Sequence, residues 1–278
     1  MTEHAIRQHA YVEFASRGQE EFGWRIARGR GKTFLVEWCE AKGDEATIIR
    51  NLEDEVIAIF PRTGGTVTAG ETSTAISGRT IVIIPPGDVA IRCDQEGGTV
   101  ILLSPLRGKA PDDPVINSGD YLDHGDEGML TVAPPSGKPR PLQVIPVDRI
   151  VAPTDKPRLK IVRSETLSVS WIEYEGVRDR TQLSPHDHAD FEQGSLAIEG
   201  SYIHHLRVPW RANATLWRDD LHLFATPQSL CVIPPQMIHT TEGEGDGNHI
   251  LLDIFAPVRA DFAGKGWIFN NPDYTQAD

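Results

Sequence analysis

Between Ser184 and Gly200 the chain reads SPHDHADFEQGSLAIEG, in which His186, His188 and Glu192 form the pattern His-x-His-x-x-x-Glu before the sequence turns apolar. Imidazole nitrogens and carboxylate oxygens are ligands for first-row divalent ions. Taken as one extended strand, the segment points residues two apart to one face, so neutral His186 and His188 aim at a common point. Glu192 has the same parity and adds an anionic oxygen. His239 follows much later, at the end of VIPPQMIH, and a closing sheet could bring it opposite the other three. The expected metal ligands are therefore His186, His188, Glu192 and His239.

Further candidates lie nearby. His204 and His205 sit on SYIHHLRV, where strand alternation sends one of them inward. Together with Glu192 they are the candidate catalytic acid/base groups. Gln182 precedes the first histidine on an extended stretch and could point the same way. His222, Trp210, Trp217 and Arg218 fall in PWRANATLWRDDLHLF, where aromatics pack barrel ends more often than they cap pockets. His249 and Asp253 belong to a closing strand and could support a ligand from behind. The turn GRGK lacks the full phosphate-loop pattern and a following helix, and reads as a basic surface turn.

The elements that must carry these residues read as β structure. Short apolar or alternating runs at Glu55–Phe60, Thr80–Ile84, Thr99–Ser104, Leu167–Ile172, Ser229–Ile233 and His249–Phe255 are separated by Gly, Pro, Asp and Asn. No long run of helical period competes with them. The runs also repeat. TFLVEWCEAKG from Thr33 resembles TLSVSWIEYEG from Thr166, setting Trp38 against Trp171. NLEDEVIAIF from Asn51 resembles DFEQGSLAIE from Asp190, setting Glu53 against Glu192, and Pro85-Pro86 matches Pro234-Pro235. The expected fold is all-β, two tandem barrels, with residues 1–140 as the first domain and 141–278 as the second. Within the Pro/Gly/Asp-rich connection from Arg107 to Arg158 one strand is expected near Leu142–Ile150, and the first thirty residues could add an edge strand or arm. In the first copy Thr47, Ile49 and Ala90 take the positions of the histidines, so that barrel is expected to hold no metal. Only His4, His9 and His124 of the ten histidines precede the second copy.

The motif around His186, His188 and Glu192 resembles the first motif of the cupin superfamily, and VIPPQMIH resembles its second, with Gln236 in place of the usual glycine. Both halves are similar to cupin barrels, over about residues 30–106 and 165–256, so the chain resembles a bicupin. The resemblance implies double-stranded β-helix (jelly-roll) barrels and one divalent ion on the three histidines and the glutamate, Fe or Mn first, Zn or Ni as alternatives. An ion with open positions would serve a metal-dependent enzyme acting on a small oxygenated or carboxylated metabolite. A dioxygenase is set slightly ahead of a decarboxylase, lyase or isomerase; the alternative is a non-catalytic small-molecule binding or sensing protein.

The 278 residues carry a formal charge of −13, which disfavours nucleic acid and anionic membrane as partners and leaves a small-molecule substrate. Cys39, Cys93 and Cys231 are far apart in apolar runs and read as free thiols of a reducing compartment. With no signal-like start and no run long enough to span a bilayer, the expectation is a cytoplasmic protein, with pairing of exposed sheets into a homodimer left open.

Overall fold

The computed structural model describes residues 5–43, 46–107, 111–121, 129–138 and 140–275. His4 and His124 lie outside the described residues. The described residues are β throughout, with short helical turns among them only at Ser118–Tyr121, Val147–Arg149, Ala214–Leu216, Ala260–Gly264 and Pro272–Thr275. The first part runs β1 (Ala10–Glu13), β2 (Gln19–Glu21), β3 (Trp24–Arg30), β4 (Phe34–Ala41), β5 (Thr47–Leu52), β6 (Val56–Phe60), β7 (Gly65–Ala69), β8 (Thr72–Ile76), β9 (Thr80–Ile84), β10 (Gly87–Cys93) and β11 (Thr99–Pro105). After the connection come β12 (Gln143–Pro146), β13 (Leu159–Arg163), β14 (Ser168–Glu175), β15 (Gln193–Glu199), β16 (Ser201–Arg207), β17 (Leu221–Ala225), β18 (Ser229–Ile233), β19 (Ile238–Glu244) and β20 (Asn248–Phe255).

These strands make two barrels, each a large sheet facing a small one. The first combines the order β12-β9-β6-β11-β4-β3-β2 with β5-β10-β7-β8; the second combines β1-β18-β15-β20-β14-β13 with β17-β16-β19. Period-two alternation explains how each large sheet serves two cores. One face of each lines its own barrel. The other faces meet, so that Val36, Trp38, Ile57, Ile83 and Leu103 of one sheet join Val169, Trp171, Leu196, Val232 and Leu252 of the other in a common core. Trp38 and Trp171 recur because both belong to this shared layer.

The two halves also exchange strands. β1, from the start of the chain, is an edge of the second barrel, with Ala10 opposite Val232, and β12 is an edge of the first, with Val144 opposite Val82. The first half of the chain thus donates its leading strand to the second barrel's sheet, and the second half donates its own to the first.

A reciprocal clamp locks the exchange. Glu192 is fully buried, pairs with Arg7 at 2.6 Å, and accepts hydrogen bonds from the backbone N–H groups of Lys32 and Thr33. Glu55, also buried, accepts the backbone N–H of Glu165 at 2.7 Å and the Tyr274 hydroxyl at 2.9 Å, with Arg140 alongside at 3.5 Å. Arg7 and Arg30 stack on Tyr121 as Arg140 and Arg163 stack on Tyr274. Asn117 brackets the backbone of Arg30 as Asn270 brackets that of Arg163. The underlying repeat, Asn-Ser-Gly-Asp-Tyr at 117–121 and Asn-Asn-Pro-Asp-Tyr at 270–274, escapes the sequence reading because it lies outside the barrel motifs.

Register fixes the true correspondence between copies. Val56 pairs with Ile84 as Gln193 pairs with Ile233, so Glu55, not Glu53, is the counterpart of Glu192. Ile49 is 70% exposed, so it does not occupy the inward position of a histidine; Ile48, Val89, Ile91 and Cys93 are the buried residues of those paired strands. The GRGK turn also changes meaning. Its N–H groups hold an anion, and that anion is the chain's own Glu192, approached so closely that a Cβ on Gly31 would collide with Oε1.

Candidate metal centre

The stretch from Ser184 to Glu192 is not a strand. Its one ladder contact is the bridge between His186 and His239, made by the reciprocal bonds His186 N–H to His239 O at 3.0 Å and His239 N–H to His186 O at 2.8 Å. That bridge places His186 beside the end of β19, while Gln236 N–H bonded to His188 O at 2.6 Å holds the next turn of the loop. The three histidines meet as expected. One ring nitrogen from each of His186, His188 and His239 lies within 4.8 Å of the others.

Glu192 does not join them, which corrects the expected ligand set. Strand parity cannot be carried from His188 across an irregular loop, and regular alternation restarts at Gln193, the first residue of β15. From there Gln193 and Ser195 face the barrel, whereas Glu192 and Gly194 face the other barrel, Gly194 packed on the Phe34 ring. The residue that reaches the histidines is Gln193. Its Oε1 lies 3.0 Å from His188 Nε2 and 3.3 Å from His239 Nε2.

The hydrogen-bond network fixes which atoms these are. The Gln193 amide nitrogen donates to Ser195 Oγ and to Asp253 Oδ1, both at 3.0 Å, and Ser195 donates to the same Asp253 oxygen at 2.7 Å. An ionised carboxylate only accepts, so the amide is oriented with Oε1 toward the imidazoles. His186 Nδ1 faces Ser184 O and His239 Nδ1 faces Met237 O, both at 2.9 Å, which puts the proton of each neutral ring on Nδ1. His239 Nε2 therefore turns a lone pair toward the lone pairs of Gln193 Oε1. Acceptors so placed suit a cation between them, and backbone carbonyls behind the ligating imidazoles are the usual support of a metal site.

Burial holds the His188 ring down to about 3 and the His239 ring to about 4, so both are neutral at physiological pH. Phe191 stacks on His188 with centroids 4.5 Å apart, and Phe255 meets it edge-on at 5.7 Å, keeping water from that side. Asp253 is pushed up to about 6 by burial, against the hydrogen bond from Ser195 and the nearby His186.

The other face of the cluster opens into a cavity of about 330 Å³. It is lined by His186, Gln193, His239 and Asp253 together with Tyr174, Tyr202 and Thr241, and Asp155, Lys156, Arg158 and Arg178 also border it. This size is at the lower end of small-molecule sites.

Neither of the adjacent histidines expected to act as acid or base lines this cavity. His204 faces the interior but is buried behind Thr241, whose Oγ1 is 2.8 Å from its Nδ1. His205 is on the outer face, its Nδ1 2.6 Å from His222 Nδ1 and its Nε2 3.3 Å from Glu242. Gln182 is exposed, Trp210 and Trp217 stack on each other outside the cavity, and His249 stacks on Tyr174 at 5.0 Å. Two site residues were missed or underweighted in the sequence. Gln193 follows the glutamate that drew attention, and Asp253 is the one charge in ILLDIF.

No family model matches the chain, and no curated protein matches it. Solved structures do match. A point mutant of the Bacillus subtilis oxalate decarboxylase OxdC superimposes with a TM-score of 0.60 at 13% identity, covering 92% of this chain and 78% of that one. The Lactobacillus farciminis oxalate decarboxylase formate complex gives a TM-score of 0.60 at 13% identity, with 92% and 88% covered. At this identity the likeness shows the fold alone, the same β architecture over most of both chains. No helix among the described residues is long and apolar enough to cross a membrane.

Proposed function

We propose that the chain is a bicupin enzyme of the lyase class, whose second barrel binds one divalent metal ion and decarboxylates a small carboxylic acid. The observation that carries this reading is the convergence of the His188 and His239 Nε2 atoms on Gln193 Oε1, beside His186, with His186, Gln193 and His239 lining an open cavity. His186, His188, His239 and Gln193 would hold the ion. All four are neutral ligands, so the ion would keep its full charge and act as a Lewis acid toward a carboxylate.

The chain's own groups do the rest. Asp253 and Ser195 hold Gln193 in its productive orientation; Phe191 and Phe255 exclude water behind His188; the cavity admits a substrate from the opposite side. Decarboxylation replaces CO2 by one proton and needs no oxidant. The lyase reading takes precedence over a dioxygenase because the similar structures are decarboxylases. Fe or Mn remains the proposed ion, and the cytoplasm the proposed compartment.

The test is elemental analysis of protein purified without chelators, with the His186/His188/His239→Ala variant as control, followed by CO2 release and O2 uptake with small carboxylic acids. About one ion per chain, absent from the variant, with CO2 formed without O2 uptake, is expected. Stoichiometric O2 consumption would return the dioxygenase reading. Absence of metal after reconstitution would remove the enzyme and leave a binding module.

A further inference from the structure

The cavity border carries more positive charge than its protein neighbours answer. Arg158 lies just before β13 and Arg178 just after β14, and both guanidinium groups sit over the Tyr174 ring, 5.5 and 5.7 Å from its centroid. Lys156 is beside them, and Asp155 is the acidic group of the same rim. Among the described residues, neither Arg158 nor Arg178 makes an ion pair. Arg7, Arg25, Arg28, Arg79, Arg107 and Arg207 each hold a carboxylate, as expected in a chain of charge −13.

The internal repeat shows how Arg158 came to lack a partner. Ile26 pairs with Cys39 as Leu159 pairs with Ile172, so Arg158 corresponds to Arg25 and Glu173 to Glu40. In the first barrel Arg25 lies opposite Glu40 and the two form a salt bridge. In the second, the carboxylate of Glu173 is taken from the other barrel by Arg79, in two bonds of 2.8 and 3.0 Å, and also accepts the Trp171 indole N–H. Arg158 is left at the cavity beside a second guanidinium of like charge. Two planar forks over one aromatic ring, close to a site for one small molecule, suit an anionic group that accepts paired N–H bonds.

We infer that Arg158 and Arg178 form a distal anion subsite of this cavity, and that the substrate carries, besides the carboxylate directed to the histidine cluster, a second carboxylate or a phosphate. This rests on the metal-centre reading for its first carboxylate only. The subsite itself is made of residues that would hold no metal.

The test is calorimetric titration of the full chain, loaded with Mn2+ or Zn2+ and separately metal-free, with succinate, glutarate, 3-phosphonopropionate and the monoanion butyrate. In the loaded protein a dianion is expected to bind roughly tenfold or more tighter than butyrate, as one charge-assisted paired contact would give. Arg158→Ala/Arg178→Ala should erase that ratio while leaving metal content and butyrate affinity unchanged. Preference between the diacids and the phosphonate identifies the second group. Equal binding of mono- and dianions by the native chain, a ratio untouched by the double variant, or no dianion binding overturns the inference. Arginine-dependent dianion binding in a chain that takes up no metal would uphold the subsite and sink the metal-centre reading.

Discussion

The two barrels share one scaffold, yet the paired strands that are packed with large side chains in one line a cavity in the other. In the first, Trp24 and Ile26 on β3 pair with Ala41 and Cys39 on β4, and all are buried in an interior that also takes Ile48, Phe60, Val89 and Ile91. In the second, the positions of Trp24, Ile26, Cys39 and Ala41 are held by Pro157, Leu159, Ile172 and Tyr174, which line the cavity instead of filling it. Deeper in, Arg28 and Glu37 form a buried salt bridge where the second barrel has Ile161 and Ser170. A buried indole removes a site as thoroughly as the loss of ligands, because interiors pack too densely to leave room for a guest beside it. The clamps teach the complementary lesson. Glu192 and Glu55 do the same work in both barrels, so a residue inside a ligand-like motif can be wholly devoted to holding two repeats together.

The most damaging test of that equivalence is to break the clamps. Arg7→Ala leaves the Glu192 carboxylate buried without its guanidinium and should cost about 3–5 kcal/mol, read by chemical denaturation. Glu55→Ala should destabilise in the same sense. Metal content at saturating ion should be unchanged in both; loss of metal in step with the Arg7 change would show that Glu192 serves the histidines after all.

Making the second barrel resemble the first is a gentler perturbation. Pro157→Trp should place an indole where Trp24 sits in the other barrel, at an overpacking cost of about 1–3 kcal/mol. Small-acid binding, followed calorimetrically, should vanish while the histidines keep their metal. Retained binding would place the ligand elsewhere.

The last test is electrostatic. Burial pushes His204 down to about 3, with His239 and His205 adding to the shift. A folded value below the unfolded one means that the neutral ring's contribution is complete above about 6.5 and is lost as pH falls toward 3, at up to about 1.4 kcal/mol per pH unit per proton. His204→Gln should therefore flatten the acid limb of metal-free stability, measured by denaturant titration between pH 7 and 4. An unchanged slope would mean that His204 is not buried as a neutral group.

Much of this was legible in the sequence. Alternating apolar runs gave the strands at Thr80–Ile84 and Ser229–Ile233 to the residue, because period two with Pro and Gly at the ends has few other solutions. The strand expected near Leu142–Ile150 exists as Gln143–Pro146, but nothing local says that it crosses to the other half's sheet. His186, His188 and His239 were found by type and spacing. Gln193 was hidden by its neighbour, since an amide advertises no charge and the glutamate beside it fits a ligand pattern.

What the sequence determined by itself is the β content, the duplication, and the concentration of imidazole in the second copy, all properties of local pattern and composition. What only the tertiary structure decided is which side each residue faces. Alternation holds within a hydrogen-bonded strand and lapses in a loop, so the four residues between His188 and Gln193 could not be counted across. Nor could sequence show that Arg7 and Arg79 reach over from one half to claim Glu192 and Glu173 in the other. Those pairings depend on two sheets closing face to face, and they determine both which group meets the histidines and which charges remain at the cavity.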